Sequence, residues 1–168
     1  MAEYFENLDF IRRTKKLVKD YDGDLEASLL VNCAIGLLFV AKEKYGDTLS
    51  LIKDPAIIRQ WGIDVDKIDI CKRYNSDSRR IEEESKSLRA ICRHLRNSFA
   101  HCNFTPINQE QKIVGFKLKD FHIPNNNPDR ATVTFKAEIE INQLRTFLNQ
   151  VADYVVRQSK WNNLKHNH

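Results

Sequence analysis

The sequence predicts a mainly α-helical fold of four to five helices, with one β-hairpin inserted before the last helix. Apolar residues recur every three or four positions over most of the chain, whereas they alternate one by one only between about residues 111 and 140. The chain has 168 residues, of which 42% are hydrophobic and 30% charged, a composition typical of globular proteins. This length fits one domain, residues 1–168.

Two helices are predicted in the first quarter of the chain. Apolar residues between Phe10 and Tyr21 have helical spacing, with Asn7 or Asp9 placed to cap the helix. Residues 22–24 then break the pattern, and Leu25 to Tyr45 is so apolar that most of the second helix must be buried. The polar face of the first helix is basic, which fits either a solvated surface or a strip that contacts a polyanion: Arg12, Arg13, Lys15, Lys16 and Lys19.

The middle of the chain predicts short elements followed by one long helix. Residues 46–75 are irregular, and we expect turns and a short helix that starts at Pro55. Residues 77–100 are predicted to form a long helix capped by Ser76 or Asp77, with three glutamates near its positive end. Its buried stripe recurs every seven residues: Ile81, Leu88, Leu95 and Cys102.

The hairpin and the last helix follow from a change of period. Apolar residues alternate with polar ones over 114–119 and again over 133–139, and the connection 124–129 is rich in Pro and Asn. A helix with Asn142 as its cap then returns to helical spacing. Its apolar positions are Leu144, Phe147, Leu148, Val151, Tyr154 and Val155.

Charge and apolar runs restrict the class of protein. The net charge of +4 permits a polyanionic partner without requiring one. The first ten residues lack the apolar run of a secretory signal. The longest apolar stretch, Leu29 to Ala41, is shorter than the roughly 20 residues that cross a bilayer. We therefore expect a cytoplasmic protein with no membrane contact, and the lack of a glycine-rich phosphate loop argues against an NTPase.

The four cysteines do not predict a metal centre or a disulfide framework. Their spacing contains no C-x-x-C pair. A zinc site drawn from Cys92, His94, His101 and Cys102 matches no usual ligand spacing, so reduced and partly buried thiols are expected. We predict neither a metal nor a cofactor.

The residues that point to chemistry lie at the end of the predicted long helix. RNA cleavage by transesterification uses the 2′-hydroxyl of the substrate, so the protein has only to transfer protons and stabilise charge on the phosphate. Arg96 offers a permanently charged fork that matches phosphate, and His101 exchanges protons near neutral pH. Asn97 is placed to orient the phosphate or the imidazole. These three are the predicted catalytic residues.

Helix geometry separates the two main groups. In an unbroken helix Arg96 and His101 project about 140° apart, too far to reach one phosphate. Either the helix kinks or ends near Ser98, or two copies of the chain meet so that the arginine of one faces the histidine of the other. The second alternative predicts a homodimer.

Neighbouring residues on the same helix are candidates for RNA binding. Arg93 and Arg89 lie one and two turns before Arg96 on one face, which fits either phosphate contacts or an ordinary solvated face. His94 shares the face of His101. Polar neighbours favour a solvated histidine there over an accessory base.

The segment Leu95–His101 resembles the R-x4-6-H motif of the HEPN superfamily, in the form with a polar residue directly after the arginine. The core helix around residues 32–38, the Trp61–Ile63 segment and the hairpin after the motif resemble a prokaryotic, plasmid- and defence-associated branch of that superfamily. The resemblance covers most of the chain, but only the short motif is functionally specific.

The resemblance implies a HEPN-like helical bundle and a metal-independent endoribonuclease of toxin or phage-defence type, acting on RNA as a homodimer. It assigns phosphate binding to Arg96, proton transfer or charge stabilisation to His101 and an assisting role to Asn97, and it admits an antitoxin or regulatory protein as a partner. Two alternatives stay open. The domain is a non-catalytic HEPN module that binds RNA, a nucleotide or a protein, or it is a structural interaction protein with an exposed hairpin edge.

Overall fold

The fold combines five α-helices with one five-stranded sheet over the residues described by the computed structural model, which are residues 2–166, with side chains for residues 8–125 and 127–159. The helices are α1 (Ala2–Asp20), α2 (Glu26–Ser50), α3 (Pro55–Gln60), α4 (Leu88–Ala100) and α5 (Ile141–His166). The strands are β1 (Ile68–Asn75), β2 (Arg80–Glu83), β3 (Phe104–Gln109), β4 (Lys112–His122) and β5 (Thr132–Glu140).

The sheet corrects the predicted fold class. All its neighbouring strands are antiparallel, in the order β2-β1-β5-β4-β3. The prediction of a mainly α-helical fold is therefore wrong, and the fold is a mixed one of helices and sheet. The predicted hairpin is present as β4 and β5, whose register runs from Gly115 opposite Glu140 to His122 opposite Thr132.

Strands β1 and β2 occupy segments that the sequence predicted as turns and as the start of the long helix. The heptad spacing that seemed to link Ile81 to Leu88 is accidental, because a strand and a loop separate them. The helix starts only at Leu88, after Ser87, whose side chain accepts a hydrogen bond from the Ala90 amide. Neither Ser76 nor Asp77 caps it, and the glutamates of β2 pair with β1 instead.

Strand β3 was missed because it contains Pro106. A proline cannot donate to a strand ladder, but β3 is an edge strand, where one side needs no partner. It pairs with β4 from Phe104 opposite Leu118 to Gln109 opposite Lys112. The predicted hairpin is thus the inner part of a larger sheet.

The other helices agree with the predictions in kind but differ at their ends. Helix α1 begins at Ala2, so Asn7 and Asp9 lie inside it and neither is its cap. Helix α2 extends to Ser50, with a non-helical backbone at Tyr45. The short helix at Pro55 is confirmed, and it ends before Gly62, whose φ of +90° suits glycine.

Helix α4 lies at the centre of the molecule, between α2 and the sheet. Its apolar side is completely buried, with Ile91, Cys92 and Phe99 at 0–1% exposure. On the sheet side β4 and β5 present alternate inward residues to the helices. The inward residues of these strands are Phe116, Leu118, Phe135, Ala137 and Ile139. This packing places both ends of α4 at the edge of the core.

The outer side of α1 and α2 carries large apolar side chains in contact with solvent. Phe10, Leu17 and Phe39 are 45%, 51% and 49% exposed. No helix within the described residues is both long and apolar enough to span a bilayer.

Candidate active site at the end of the motif helix

The predicted catalytic residues lie in the last turn of α4. Arg96 is half-buried, and its guanidinium Nη2 donates a hydrogen bond to Asn97 Oδ1. The Nε atom of Arg96 is buried and has no hydrogen-bond partner among the described residues. The side chains of Arg96 and Asn97 are therefore linked by a hydrogen bond, and the guanidinium points along the helix surface towards the amide.

His101 is the C-cap residue of α4 and its side chain is exposed. Its backbone N–H donates to the Asn97 carbonyl at 3.0 Å, so the imidazole leaves the helix one turn beyond the amide. Within the described residues there is no hydrogen bond between the side chains of Arg96 and His101. A single chain thus brings Arg96 and Asn97 together but leaves His101 apart.

Asp120 connects the motif to the sheet. This carboxylate lies on the inward face of β4 and is only 5% exposed. Its Oδ2 accepts hydrogen bonds from Asn97 Nδ2 at 2.9 Å and from His94 Nδ1 at 2.8 Å. A chain of hydrogen bonds therefore runs from the sheet through Asp120 and Asn97 to the guanidinium of Arg96.

His94 is buried, at 1% exposure, and the expectation of a solvated histidine is wrong. Its ring stacks on Phe135 of β5 with centroids 4.7 Å apart. Burial disfavours its charged form, but hydrogen bonding to Asp120, Cys71 and Glu84 outweighs burial and raises the pKa of His94 to about 10. His94 is therefore buried on α4 over the β4–β5 pair, where its carboxylate neighbours favour the protonated ring, and it is not accessible to RNA in this conformation.

Glu84 and Arg93 close the other end of this network. Both guanidinium Nη atoms of Arg93 donate to the two carboxylate oxygens of Glu84, a bidentate pair at the surface of the helix. Burial alone would raise the pKa of Glu84, but hydrogen bonds from His94 and Arg93 outweigh burial and lower this pKa to about 2. The charge of Arg93 is thus compensated inside the protomer.

Arg89 and Arg96 lie on the side of α4 nearest to helix α2, and Arg89 is also exposed to solvent. Arg89 forms an ion pair with Asp47 at 3.0 Å. The pKa of Glu43, on the same helix, is lowered first by its hydrogen bond with Lys42 and further by the charges of Arg96 and Arg89. The three arginines therefore do not form a uniform solvated stripe, because Arg89 and Arg93 have acidic partners, whereas Arg96 hydrogen bonds to a neutral amide.

Three residues that could bind a metal lie beside the network. One ligand atom from each of Cys71, Glu84 and His94 falls within 4.8 Å of the others. However, both ring nitrogens of His94 already have polar neighbours, and Glu84 is held by Arg93. The set differs from the zinc ligands considered from the sequence, of which Cys92 is fully buried and Cys102 is exposed.

Sequence reasoning missed Asp120 and Glu84. Asp120 occupies an inward position of β4, in phase with Phe116 and Leu118, and an acidic residue in that phase is the signal that predicts a buried partner. Glu84 was placed in a helix turn by the incorrect extension of α4, so its contact with Arg93 was not foreseen.

A comparison with protein families identifies the family of the chain. A family model described as HEPN pEK499 p136 matches residues 1–162. The chain belongs to this HEPN family. HEPN domains are often ribonucleases, so the family supports a nuclease-related or RNA-related module. No curated protein and no solved structure gives a significant match. The catalytic, RNA-binding and dimer assignments of this HEPN domain therefore rest on its own residues.

Proposed function

We propose that this HEPN domain is a metal-independent endoribonuclease whose active site combines Arg96 of one subunit with His101 of another. The observation that supports the proposal most strongly is the arrangement at the end of α4. A buried carboxylate holds Asn97, Asn97 holds the guanidinium of Arg96, and His101 lies exposed one turn further on. A preorganised cation and an accessible imidazole are the two groups that metal-free phosphodiester cleavage requires.

The reaction proposed is attack of the substrate 2′-hydroxyl on the adjacent phosphorus. The new P–O2′ bond forms as the P–O5′ bond breaks, which leaves a 2′,3′-cyclic phosphate and a 5′-hydroxyl. Arg96 binds the non-bridging oxygens, whose negative charge grows in the transition state. His101 exchanges the proton with the substrate oxygens, either by removing it from the 2′-hydroxyl or by donating it to O5′. Asn97 keeps the guanidinium in position.

The homodimer is proposed because one protomer leaves the two groups apart. Phe39 is 49% exposed and lies one helical turn before Glu43 on α2, the carboxylate whose pKa the charge of Arg96 helps to lower. Phe39 belongs to the exposed apolar side chains on the outer side of α1 and α2, and a group of such side chains is typical of an interface. A twofold contact through this part of α2 brings two copies of α4 close together. The toxin or phage-defence role, with an antitoxin or regulator, is supported by the family alone.

The proposal is tested by incubating the purified protein with single-stranded RNA in EDTA and identifying the product ends. We expect cleavage with 2′,3′-cyclic phosphate ends by the wild type and none by His101→Ala, whose helical circular dichroism stays unchanged. His168→Ala removes one of the other histidines and is the matched control, which should cut normally. RNA binding without any product would contradict the proposal and favour a non-catalytic HEPN module.

A further inference from the structure

A second basic region lies at the opposite end of α4 from the motif. Residues from α2, β1, the β2–α4 connection and α4 surround a cleft of about 390 Å³. Its charged lining consists of four cations and two carboxylates: Lys53, Arg73, Arg89, Arg93, Glu83 and Glu84. The excess of cations predicts an attraction for anions.

The carboxylates of the cleft do not neutralise all of its cations. Glu84 is bound by Arg93, and Glu83 forms an ion pair with Lys72 at 2.9 Å. Arg89 is paired with Asp47. Lys53 and Arg73 are both exposed, and neither has a hydrogen bond or ion pair to a side chain within the described residues.

Local structure explains why the side chain of Arg73 has no hydrogen-bonding partner among the described residues. It lies opposite Glu82 in the β1–β2 ladder, but Glu82 accepts hydrogen bonds from Ser78 and Asn75 instead. Arg73 also shares the inward phase of Cys71, so it lies on the side of the sheet that packs against α4. Arg73 therefore lines the cleft with a guanidinium that forms no hydrogen bond to a side chain among the described residues, although its charge acts on nearby Glu82.

The cleft and the motif lie along one face of the same helix. Arg89, Arg93 and Arg96 follow one another at one-turn intervals, and the distance along the helix from first to last is about 10 Å. Neighbouring nucleotides of one strand can span such a distance. A strand with its scissile phosphate at Arg96 thus passes over this arginine row towards Lys53 and Arg73.

We propose that Lys53 and Arg73 bind the phosphates of a single-stranded RNA a few nucleotides away from the bond at Arg96. This inference rests on the proposed nuclease function for the identity of the strand. The cleft adds contacts to the sugar-phosphate backbone and no base contacts, so it increases affinity without setting sequence preference. Neither residue takes part in the chemical step.

The test uses a labelled RNA of about 12 nucleotides, within the site size of single-strand binders, with 2′-O-methyl groups that prevent cleavage. Binding is measured by fluorescence anisotropy between about 50 and 200 mM salt. The double variant Lys53→Ala/Arg73→Ala is compared with Lys112→Ala/Arg130→Ala, which removes the same charge from exposed positions at the start of β4 and in the β4–β5 connection.

We expect the cleft variant to lose at least tenfold in affinity, with a salt slope smaller by about 1.4, because each phosphate contact on a single strand contributes about 0.7. The control variant should bind like the wild type. Equal losses in both variants would overturn the proposal, since net charge alone would then explain them. Binding of ATP at the cleft with no binding of the strand would also overturn it.

The two proposals fail separately. If the wild type binds the modified strand through Lys53 and Arg73 but cuts no unmodified RNA, the proposed nuclease function is contradicted. The proposed binding of RNA at the cleft then still stands. If the wild type cuts RNA but the cleft variant binds the strand as tightly as the control variant does, the proposed binding at the cleft is contradicted. The proposed nuclease function then still stands.

Discussion

His94 Nδ1 lies 2.8 Å from Asp120 Oδ2, and this contact joins the motif helix to the central strands of the sheet. Both side chains are almost completely buried, and the same carboxylate oxygen also accepts a hydrogen bond from Asn97. The position of the proposed phosphate-binding arginine is therefore set by a buried charge on β4. Packing of α4 and the geometry of the motif depend on the same few atoms.

Replacing Asp120 by asparagine should destabilise the protein. The change keeps the size of the side chain but leaves the buried His94 cation without its main partner, and breaking a buried pair in this way costs about 3–5 kcal/mol. The free energy of unfolding is measured by urea denaturation at neutral pH. Asp129→Asn, in the exposed β4–β5 connection, is the matched control and should change stability by less than about 0.5 kcal/mol. Equal stability of the two variants would contradict the role of Asp120.

The charge of His94 should make stability depend on pH in the alkaline range. The folded pKa is raised to about 10, so the folded state keeps a proton that the unfolded state loses above its ordinary pKa of 6.5. The stabilisation is complete below 6.5 and is lost as pH rises through 10. It should fall by about 1.4 kcal/mol per pH unit between these values.

The measurement is the difference in unfolding free energy between the wild type and His94→Gln at several pH values. Groups that do not contact His94 titrate alike in both proteins, so the difference reports on His94 and its direct partners. A difference that stays constant from pH 6 to 10 would show that the buried imidazole is neutral, against the expectation.

Removing the amide that holds Arg96 should reduce the rate of RNA cleavage. Asn97→Ala frees the guanidinium, and a displacement of about 1 Å in a reacting group costs about 100-fold in rate. We expect kcat to fall by this order with a smaller change in KM. Asn108→Ala, on the exposed edge strand β3, should cleave like the wild type. Equal rates for Asn97→Ala and the wild type would remove Asn97 from the site.

A charge at Phe39 should separate the proposed dimer. Phe39→Glu places a carboxylate in an interface that is expected to exclude water, at a position already 49% exposed in the protomer, so folding should persist. Light scattering should report a monomer, and RNA cleavage should be lost with it. Leu51→Glu changes a side chain that is 78% exposed at the end of the same helix, and it should stay dimeric and active. An active monomer of the Phe39 variant would contradict the interface.

The sequence predicts those parts of the fold in which one periodicity acts alone. Helix α2 is apolar on almost every side, and apolar and polar residues alternate over long runs in β4 and β5. The sequence therefore predicts all three elements. Strands β1 and β2 carry many charged residues and pair with each other as a local hairpin, but β1 joins the sheet through β5, more than fifty residues further along the chain. Such long-range pairing leaves little local signal, and tertiary contacts outweigh the helix preference of the glutamates.

The candidate site also contains residues that local sequence predicts and residues whose contacts depend on distant segments. The Arg96 and His101 spacing is local and was visible, including the conclusion that one straight helix cannot bring the two groups together. The burial of His94 depends on Asp120, which approaches from a different strand. Only the phase of Asp120 within β4 hints at that contact, because the partner of an inward carboxylate cannot be read from its own segment.

The most direct test of the composite site is complementation between two inactive variants, Arg96→Ala and His101→Ala. The two proteins are unfolded, mixed in equal amounts and refolded together, and RNA cleavage in EDTA is then measured. In a mixed dimer one site lacks both groups, while the other combines the intact arginine of one subunit with the intact histidine of the other. We predict about a quarter of the wild-type activity, because half of the dimers are mixed and each has one complete site of two. Mixed dimers that form but cut no RNA would contradict a site shared between subunits.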